Sequence, residues 1–503
     1  MRSLQVVILA AGGGSRMKSQ VPKVLHQICG RPMVAYALDL ATATGVKQPI
    51  VILGEAADEI RPHLPKEVKV VIQKAPQGTG DAVLTVKRAL GGFSGDLLIL
   101  YADTPLLRRT TVQKLVEAHY KSNAACTLLT THLADPYGYG RVVRDPTGNV
   151  ISVVEEAEAN AAQRSIREIN VGPICAKAEP LFEVLANGRP SSVKKEWYLT
   201  QAVHLLAQRE GGAKFQTVRL EEVTEAHGVN SRADLARAAG IIRQRIIDSH
   251  LNNGVTVVDP DHTYIDQGVT IGQDTTIHPG SVIESGAVIG KRCSIGPYAR
   301  LRGGVVVSDD VRIGNFAELV RTKLGAGVRM NHVSYLGDTT VEDEVNIGAG
   351  TITANFDGTS KLPTIIGKGA FIGCDTVLIA PVKVGPGAVT GAGSVIPKGH
   401  DVPPREVVVG VPAHSFGKAP AKSAAGEHGT DGGQAAAKAR QPVERQDHHA
   451  AGKAQGNHRP VKGASKPLIR RAAKVSPKRR VRVAVASRRR PVAAGRKRVS
   501  RGK

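Results

Sequence analysis

A six-residue period dominates the second half of the chain. Ile265, Ile271, Ile277, Ile283, Ile289, Ile295 and Leu301 follow one another without a gap, and Ile366, Ile372, Leu378, Val384, Thr390 and Ile396 form a second train. Neither the 3.6-residue period of a helix nor strict alternation produces this pattern. A sustained hexad marks a parallel β-helix, in which each rung stacks an aliphatic side chain on those above and below it. Glycine often follows the aliphatic residue, as in Ile271-Gly272, Ile289-Gly290 and Ile295-Gly296. The period becomes irregular between about 331 and 364, where Asn355 through Pro363 reads as an inserted loop. A solenoid has no structural need of such a break, and loops of this kind carry function.

The first 230 residues have a different pattern. Apolar runs at Val6–Leu9, Ile50–Leu53, Val68–Ile72 and Leu97–Tyr101 alternate with helix-like stretches such as Thr79–Leu90. Continuous apolar strands between helices predict an α/β, Rossmann-like domain whose parallel sheet is buried on both faces. Leu235, Ala239, Ile242 and Ile246 recur at helical spacing, and Asn252-Asn253-Gly254 would end that helix. The expected division is an N-terminal domain over 1–231, a linker helix over 232–252, a β-helix over 253–416 and a tail over 417–503.

Charge is distributed as unevenly as the periodicity. The formal charge is +24, but residues 417–503 hold 24 Lys and Arg against 4 Asp and Glu, which leaves +4 for residues 1–416. No aromatic residue follows Phe416. Such a segment buries too little apolar surface to offset its ordering entropy, so it is expected to be disordered. Its clusters, among them Lys478-Arg479-Arg480 and Arg488-Arg489-Arg490, suit nonspecific, salt-dependent binding of polyanions. The absence of base-stacking aromatics argues against specific nucleic-acid recognition. Five scattered cysteines without a CxxC pair suggest neither a disulfide framework nor a zinc site. The N-terminus does not resemble a signal peptide and no run is long enough to span a bilayer, so a cytoplasmic location is expected.

The first candidate site begins at Leu9-Ala10-Ala11-Gly12-Gly13-Gly14-Ser15-Arg16-Met17, followed by Pro22-Lys23. A strand running into glycines lets backbone N–H groups approach phosphate oxygens. Arg16 and Lys23 can neutralise phosphate, and the spacing is not that of a Walker loop. The whole pattern resembles the sugar-nucleotide pyrophosphorylase family. The matches continue in order through Gln73, Gln77-Gly78-Thr79-Gly80, Tyr101-Ala102-Asp103, Gly138-Tyr139-Gly140-Arg141, Glu155, Ile169-Asn170-Val171-Gly172 and Val229-Asn230. Gln73 with the Q-G-T-G run looks like the uracil-reading version. The resemblance implies that a sugar phosphate attacks the α-phosphorus of UTP, with Mg²⁺ held by Asp103 and Asn230. It also implies that Lys23 holds a phosphate, that Leu9, Ala10, Ala11, Gly12, Arg16, Gln73, Gly78 and Thr79 line the nucleotide, and that Gly140, Glu155 and Asn170 contact the sugar.

The second candidate site lies in the irregular part of the hexads. Gly296-Pro297-Tyr298-Ala299-Arg300-Leu301-Arg302, Asn331-His332-Val333-Ser334-Tyr335-Leu336-Gly337-Asp338 and Asn346-Ile347-Gly348-Ala349-Gly350-Thr351 resemble the acetyltransferase half of the bifunctional bacterial enzymes that make UDP-N-acetylglucosamine. The fold implied is a left-handed parallel β-helix, and the assembly implied is a homotrimer with acetyltransferase sites between neighbouring helices. Transfer from acetyl-CoA to glucosamine-1-phosphate needs a base for the amine, and histidine titrates near working pH. The resemblance gives that role to His332, with Glu318 orienting it. Arg302, Tyr335, Asn346 and Lys361 would bind the sugar phosphate, and Ala349, Asn355, Phe356, Cys374 and Ala392 would contact substrate or acetyl-CoA. Three positions depart from the pattern. Val320 replaces a phosphate-binding lysine, Cys374 a serine and Gly410 an arginine. Arg321 follows Val320, but on a continuous strand it would point to the other face. A nucleotidyltransferase carried on a purely structural β-helix therefore stays open as an alternative.

Overall fold

The structure is a computed structural model that describes residues 3–75, 77–191, 193–209 and 213–418. The N-terminal region is built on β1 (Leu4–Leu9), β2 (Ile50–Leu53), β3 (Lys69–Ile72), α1 (Thr79–Ala89), β4 (Asp96–Tyr101), β5 (Cys126–His132), β6 (Glu168–Lys177) and β7 (Phe215–Arg219). These strands lie in the order β7-β5-β6-β4-β1-β2-β3. In β1, Val6 and Ile8 pack into one apolar cluster while Val7 and Leu9 pack into another, so both faces are covered. That arrangement explains the unbroken apolar run.

The sheet is not wholly parallel. β6 runs antiparallel to both β4 and β5. Between β5 and β6 the chain makes a hairpin of Gly140–Arg144 and Val150–Val154 rather than a crossover helix, so β6 returns in the opposite direction. The hairpin pairs with β6 at Gly140↔Asn170.

Helix α2 (Arg232–Asn252) starts at a capping box formed by Ser231 and Asp234. Its Ala238 and Ile242 pack with Ile28, Met33 and Tyr36 of the first region, while Ile247 enters the core of the β-helix.

The hexads build three parallel ladders of nine, eight and seven strands. Ile277, Ile295 and Ile313 stack on the first face, Ile283, Leu301 and Leu319 on the second, and Ile289, Val307 and Leu324 on the third. The chain turns from the first face to the second along a first edge, and from the second to the third along a second edge. The irregularity at 331–364 does not interrupt the ladders. It arises where the second edge loses one residue twice, between Leu319 and Leu324 and between Leu336 and Val341, and then gains a loop between Thr353 and Ile366. The strand His414–Lys418 folds back antiparallel on Glu406–Val409. The expectation of a disordered, polyanion-binding tail concerns residues of which 419–503 lie outside the described residues.

Two candidate active sites

The first site forms where β1 and β4 end. Leu9 and Tyr101 are register partners, so the glycine-rich turn and Asp103 emerge side by side at the carboxyl edge of the sheet. Gly14 has φ 63, and a Cβ there would lie 2.7 Å from Lys23 Cβ, so glycine admits the lysine stem. Lys23 Nζ donates to Asp103 Oδ2 at 2.6 Å and to Asn230 Oδ1 at 2.9 Å, and Arg16 Nη2 donates to the same Asn230 oxygen at 2.9 Å. The backbone sets this meeting. Val229 N–H donates to the Asp103 carbonyl at 2.8 Å, and Asn230 N–H donates to Asp234 Oδ2 at 3.2 Å. The capping box of α2 thus also positions a site residue.

Ala10, Ala11, Gly12, Lys23 and Gln73 border a cleft of about 170 Å³, together with Glu55, which the sequence motifs did not single out. Nothing lies within 4 Å of where a Cβ would stand on Gly12 or Gly13, so this backbone is open to a ligand. Gln73 is buried, and its amide donates to the Gly78 carbonyl at 3.1 Å and to Asp81 at 2.7 Å. Gly78, with φ 116, packs against the Trp197 backbone, and Gly80 N–H donates to the Trp197 carbonyl at 2.8 Å. Thr79 Oγ1 accepts from Leu199 N–H at 2.8 Å.

The residues expected at the sugar form their own group. Gly140 pairs with Asn170, and Glu155 accepts from Thr200 Oγ1 at 2.7 Å. The Asn170 side-chain oxygen is buried without a partner among the described residues, an unmet acceptor suited to a ligand donor. Burial raises the Glu155 carboxyl above its ordinary pKa, against the Thr200 bond that lowers it. Tyr101 bridges the two groups. Burial, with the nearby charges of Glu155 and Asp103, pushes its phenol well up, opposed by a hydrogen bond with Thr79. Trp197 and Thr200, which lie outside the family motifs, are therefore built into this site by packing.

Asp103 and Asn230 offer one carboxylate and one amide oxygen, both turned to a single ammonium. No cluster of three or more His, Cys, Asp or Glu able to hold a metal occurs among the described residues. A sparse all-oxygen set fits Mg²⁺, which keeps waters and takes substrate phosphates as ligands.

In the β-helix the expected residues divide between the two edges. His332, Ala349, Cys374 and Ala392 lie along the first edge, which is stitched by Gly350 N–H to the Val333 carbonyl at 2.6 Å, Asp375 N–H to Ala349 at 2.6 Å and Gly393 N–H to Cys374 at 2.8 Å. Gly410 continues this edge. Arg302, Asn355, Phe356 and Lys361 lie along the second edge, where Phe356 and Lys361 form a bridge across the inserted loop. Tyr335 stands on the second face between Glu318 and Ile352, and Asn346 on the first face between Arg329 and Phe371. His332 and Cys374 are exposed.

Two expectations change. Glu318 is not joined to His332 by a hydrogen bond among the described residues; it accepts from Arg302 at 3.4 Å. Arg321 does not continue a strand. The strand ends at Val320, which is 4% exposed, and Arg321 takes φ 47 at the shortened corner. Alternation of strand side chains does not apply there, and its guanidinium pairs with Asp338 at 2.6 and 2.7 Å.

Residues 6–170 match the MobA-like NTP transferase domain, and residues 286–321 and 363–398 match the bacterial transferase hexapeptide repeats. Fold and sites together define a nucleotidyltransferase joined by a helix to a left-handed, hexapeptide-repeat transferase domain. The chain is 41% identical over 413 residues to the bifunctional protein GlmU of Pelotomaculum thermopropionicum, covering 76% of this chain and 90% of that one. It is 41% identical over 440 residues to that of Pelobacter propionicus (80% and 95% covered) and 38% identical over 442 residues to that of Brevibacillus brevis (81% and 95%). The chain belongs to the GlmU family of bifunctional proteins.

Proposed function

We propose that the two sites carry the two steps of UDP-N-acetylglucosamine synthesis. In the β-helix, the amine of glucosamine-1-phosphate attacks the thioester of acetyl-CoA, His332 takes the amine proton, and the CoA thiol leaves. Tyr335, Asn346 and Lys361 hold the acceptor with Arg302, while Ala349, Asn355, Phe356, Cys374 and Ala392 contact the acetyl donor or the substrate. In the N-terminal domain, a phosphate oxygen of the product attacks the α-phosphorus of UTP and pyrophosphate leaves. Such a reaction depends on positioning and on neutralising charge at the transferred group. Leu9 to Gly12, Gln73, Gly78 and Thr79 hold the nucleotide, and Gly140, Glu155 and Asn170 hold the sugar. Asp103 and Asn230 are the residues that would hold Mg²⁺, which would supply neutralisation of phosphate charge.

The observation that carries this reading is the meeting of Arg16, Lys23, Asp103 and Asn230, far apart in sequence, at the mouth of a glycine-lined cleft. The division of the acetyltransferase residues between two edges of one helix supports a homotrimer, in which the first edge of one chain faces the second edge of the next. The metabolites involved, the unpaired cysteines and the lack of a helix able to cross a membrane among the described residues are in keeping with a cytoplasmic enzyme. The functional segments are then 1–231, 232–252, 253–416 and 417–503.

The test is acetyl-CoA-dependent release of CoA thiol with glucosamine-1-phosphate, alongside uridylylation of supplied N-acetylglucosamine-1-phosphate. Both reactions are expected. Uridylylation without thiol release would reduce the β-helix to a scaffold, the outcome that the buried Val320 favours.

A further inference from the structure

Arg302, Arg321, Asp338 and Lys361 come from four successive coils to the second edge of the β-helix. Arg302 makes one long bond to Glu318, at 3.4 Å, and its side chain is 43% exposed. Arg321 is held differently. One residue is missing between Leu319 and Leu324, and just past the end of the strand at Val320, Arg321 takes the left-handed region at φ 47, which a long side chain adopts only where its surroundings fix it. Asp338, the equivalent corner residue one coil on, has φ 50. It accepts from Arg321 Nε and Nη2, and Asn355 Nδ2 donates to it at 2.5 Å. Arg321's hydrogen bonds, with those of Asn355 and the charges of Arg321 and Lys361, hold the Asp338 carboxyl below its ordinary pKa against its desolvation.

This leaves one edge of the guanidinium committed and the other open. Nη1 makes no hydrogen bond among the described residues, and the side chain is 42% exposed. The preceding coil presents Gly304 at the corner, where a Cβ would come within 3.5 Å of Arg321 Cγ, so no side chain covers the arginine from that side. A guanidinium fixed by a carboxylate on one edge presents two parallel N–H donors on the other, the geometry that matches a phosphate.

We propose that Arg321 binds the phosphate of the acetyl acceptor together with Arg302 and Lys361, with Asp338 as its positioning residue. The proposal rests on the acetyltransferase reading above. It supplies the cation that Val320 cannot.

The experiment is thiol release by the full chain with two acceptors, glucosamine-1-phosphate and glucosamine, for wild type, Arg321→Met, Arg321→Lys and Asp338→Asn. Arg321→Met is expected to raise KM for the phosphorylated acceptor about tenfold or more, with little change in kcat. For glucosamine, which has no phosphate, KM should hardly move. Arg321→Lys should recover part of the loss, because it keeps the charge without the fork. Asp338→Asn should fall between wild type and Arg321→Met. Equal losses toward both acceptors would mean a structural role and overturn the proposal, as would an unchanged KM for both in Arg321→Met. No thiol release by wild type with either acceptor would instead overturn the acetyltransferase reading itself.

Discussion

Lys23 and Asp103, 80 residues apart, form an ion pair at 2.6 Å in which the lysine side chain is 10% exposed. The same ammonium reaches Asn230 Oδ1 at 2.9 Å, so a single cation holds the two expected metal ligands together. A pair this sheltered keeps its geometry when salt rises, unlike a surface pair. The nucleotide half of the molecule thus holds the proposed phosphate cation and the proposed oxygen ligands in one preset arrangement.

Asp103→Ala should remove that arrangement and little else. Uridylyl transfer is expected to fall by about a hundredfold or more, the scale seen when one charge-stabilising group is removed from an active site. Acetyl transfer, in the β-helix, should continue. Uridylylation at the wild-type rate by the variant would show that Asp103 is not a metal ligand.

Gly78 is expected to be intolerant of any side chain. At φ 116 it lies in a region that L residues avoid, and its missing Cβ is the space occupied by the Trp197 backbone. Gly78→Ala should cost about 1–3 kcal/mol in stability and displace the Gln73 amide that donates to the Gly78 carbonyl. Thermal unfolding and KM for UTP measure the two effects. A variant that melted and bound UTP like wild type would mean the segment around Trp197 yields without consequence.

Glu155 links the proposed sugar subsite to pH. Burial raises its folded pKa above the ordinary value of 4.5. The folded state therefore holds this proton more tightly than the unfolded chain does. Its contribution to stability is fully present below pH 4.5 and is lost as pH rises through the raised folded value. Glu155→Gln cannot ionise and can still accept from Thr200, so it should melt above wild type at neutral pH, with the gap closing toward pH 4. Melting curves across that range test it. A gap independent of pH would mean that ionisation of Glu155 is not the cause.

Much of this architecture was legible in the residues, for physical reasons. Each inward position of a β-helix repeats one environment, so Ile265 to Leu301 recorded the coil directly. The capped linker helix was equally open, because its apolar positions keep one spacing. The reversal of β6 was not legible, since a doubly buried strand has the same composition whichever way it runs. The corner at Arg321 was hidden because a single missing residue leaves the hexad almost intact while changing which way a side chain points. Trp197 escaped notice because its role lies in what its backbone touches, and only three-dimensional packing brings it against Gly78 and Gly80.

The separation of His332 from Lys361 leads to a test of assembly. His332 lies on the first edge of the β-helix and Lys361 on the second, so the acetyltransferase site proposed above would be completed by edges from two chains. His332→Ala and Lys361→Ala should each lose most acetyl transfer as pure proteins. Co-expressed in equal amounts they should form mixed oligomers, in which about a quarter of the sites combine an intact first edge with an intact second edge, if mixing is random and the sites are shared round a closed ring. Thiol release should therefore return to about a quarter of the wild-type rate per chain. If both edges of one chain served the same site, the mixture would be as inactive as its components, because every chain would carry one defect. Uridylyl transfer by the mixture provides the control for folding, since neither substitution lies in the N-terminal domain.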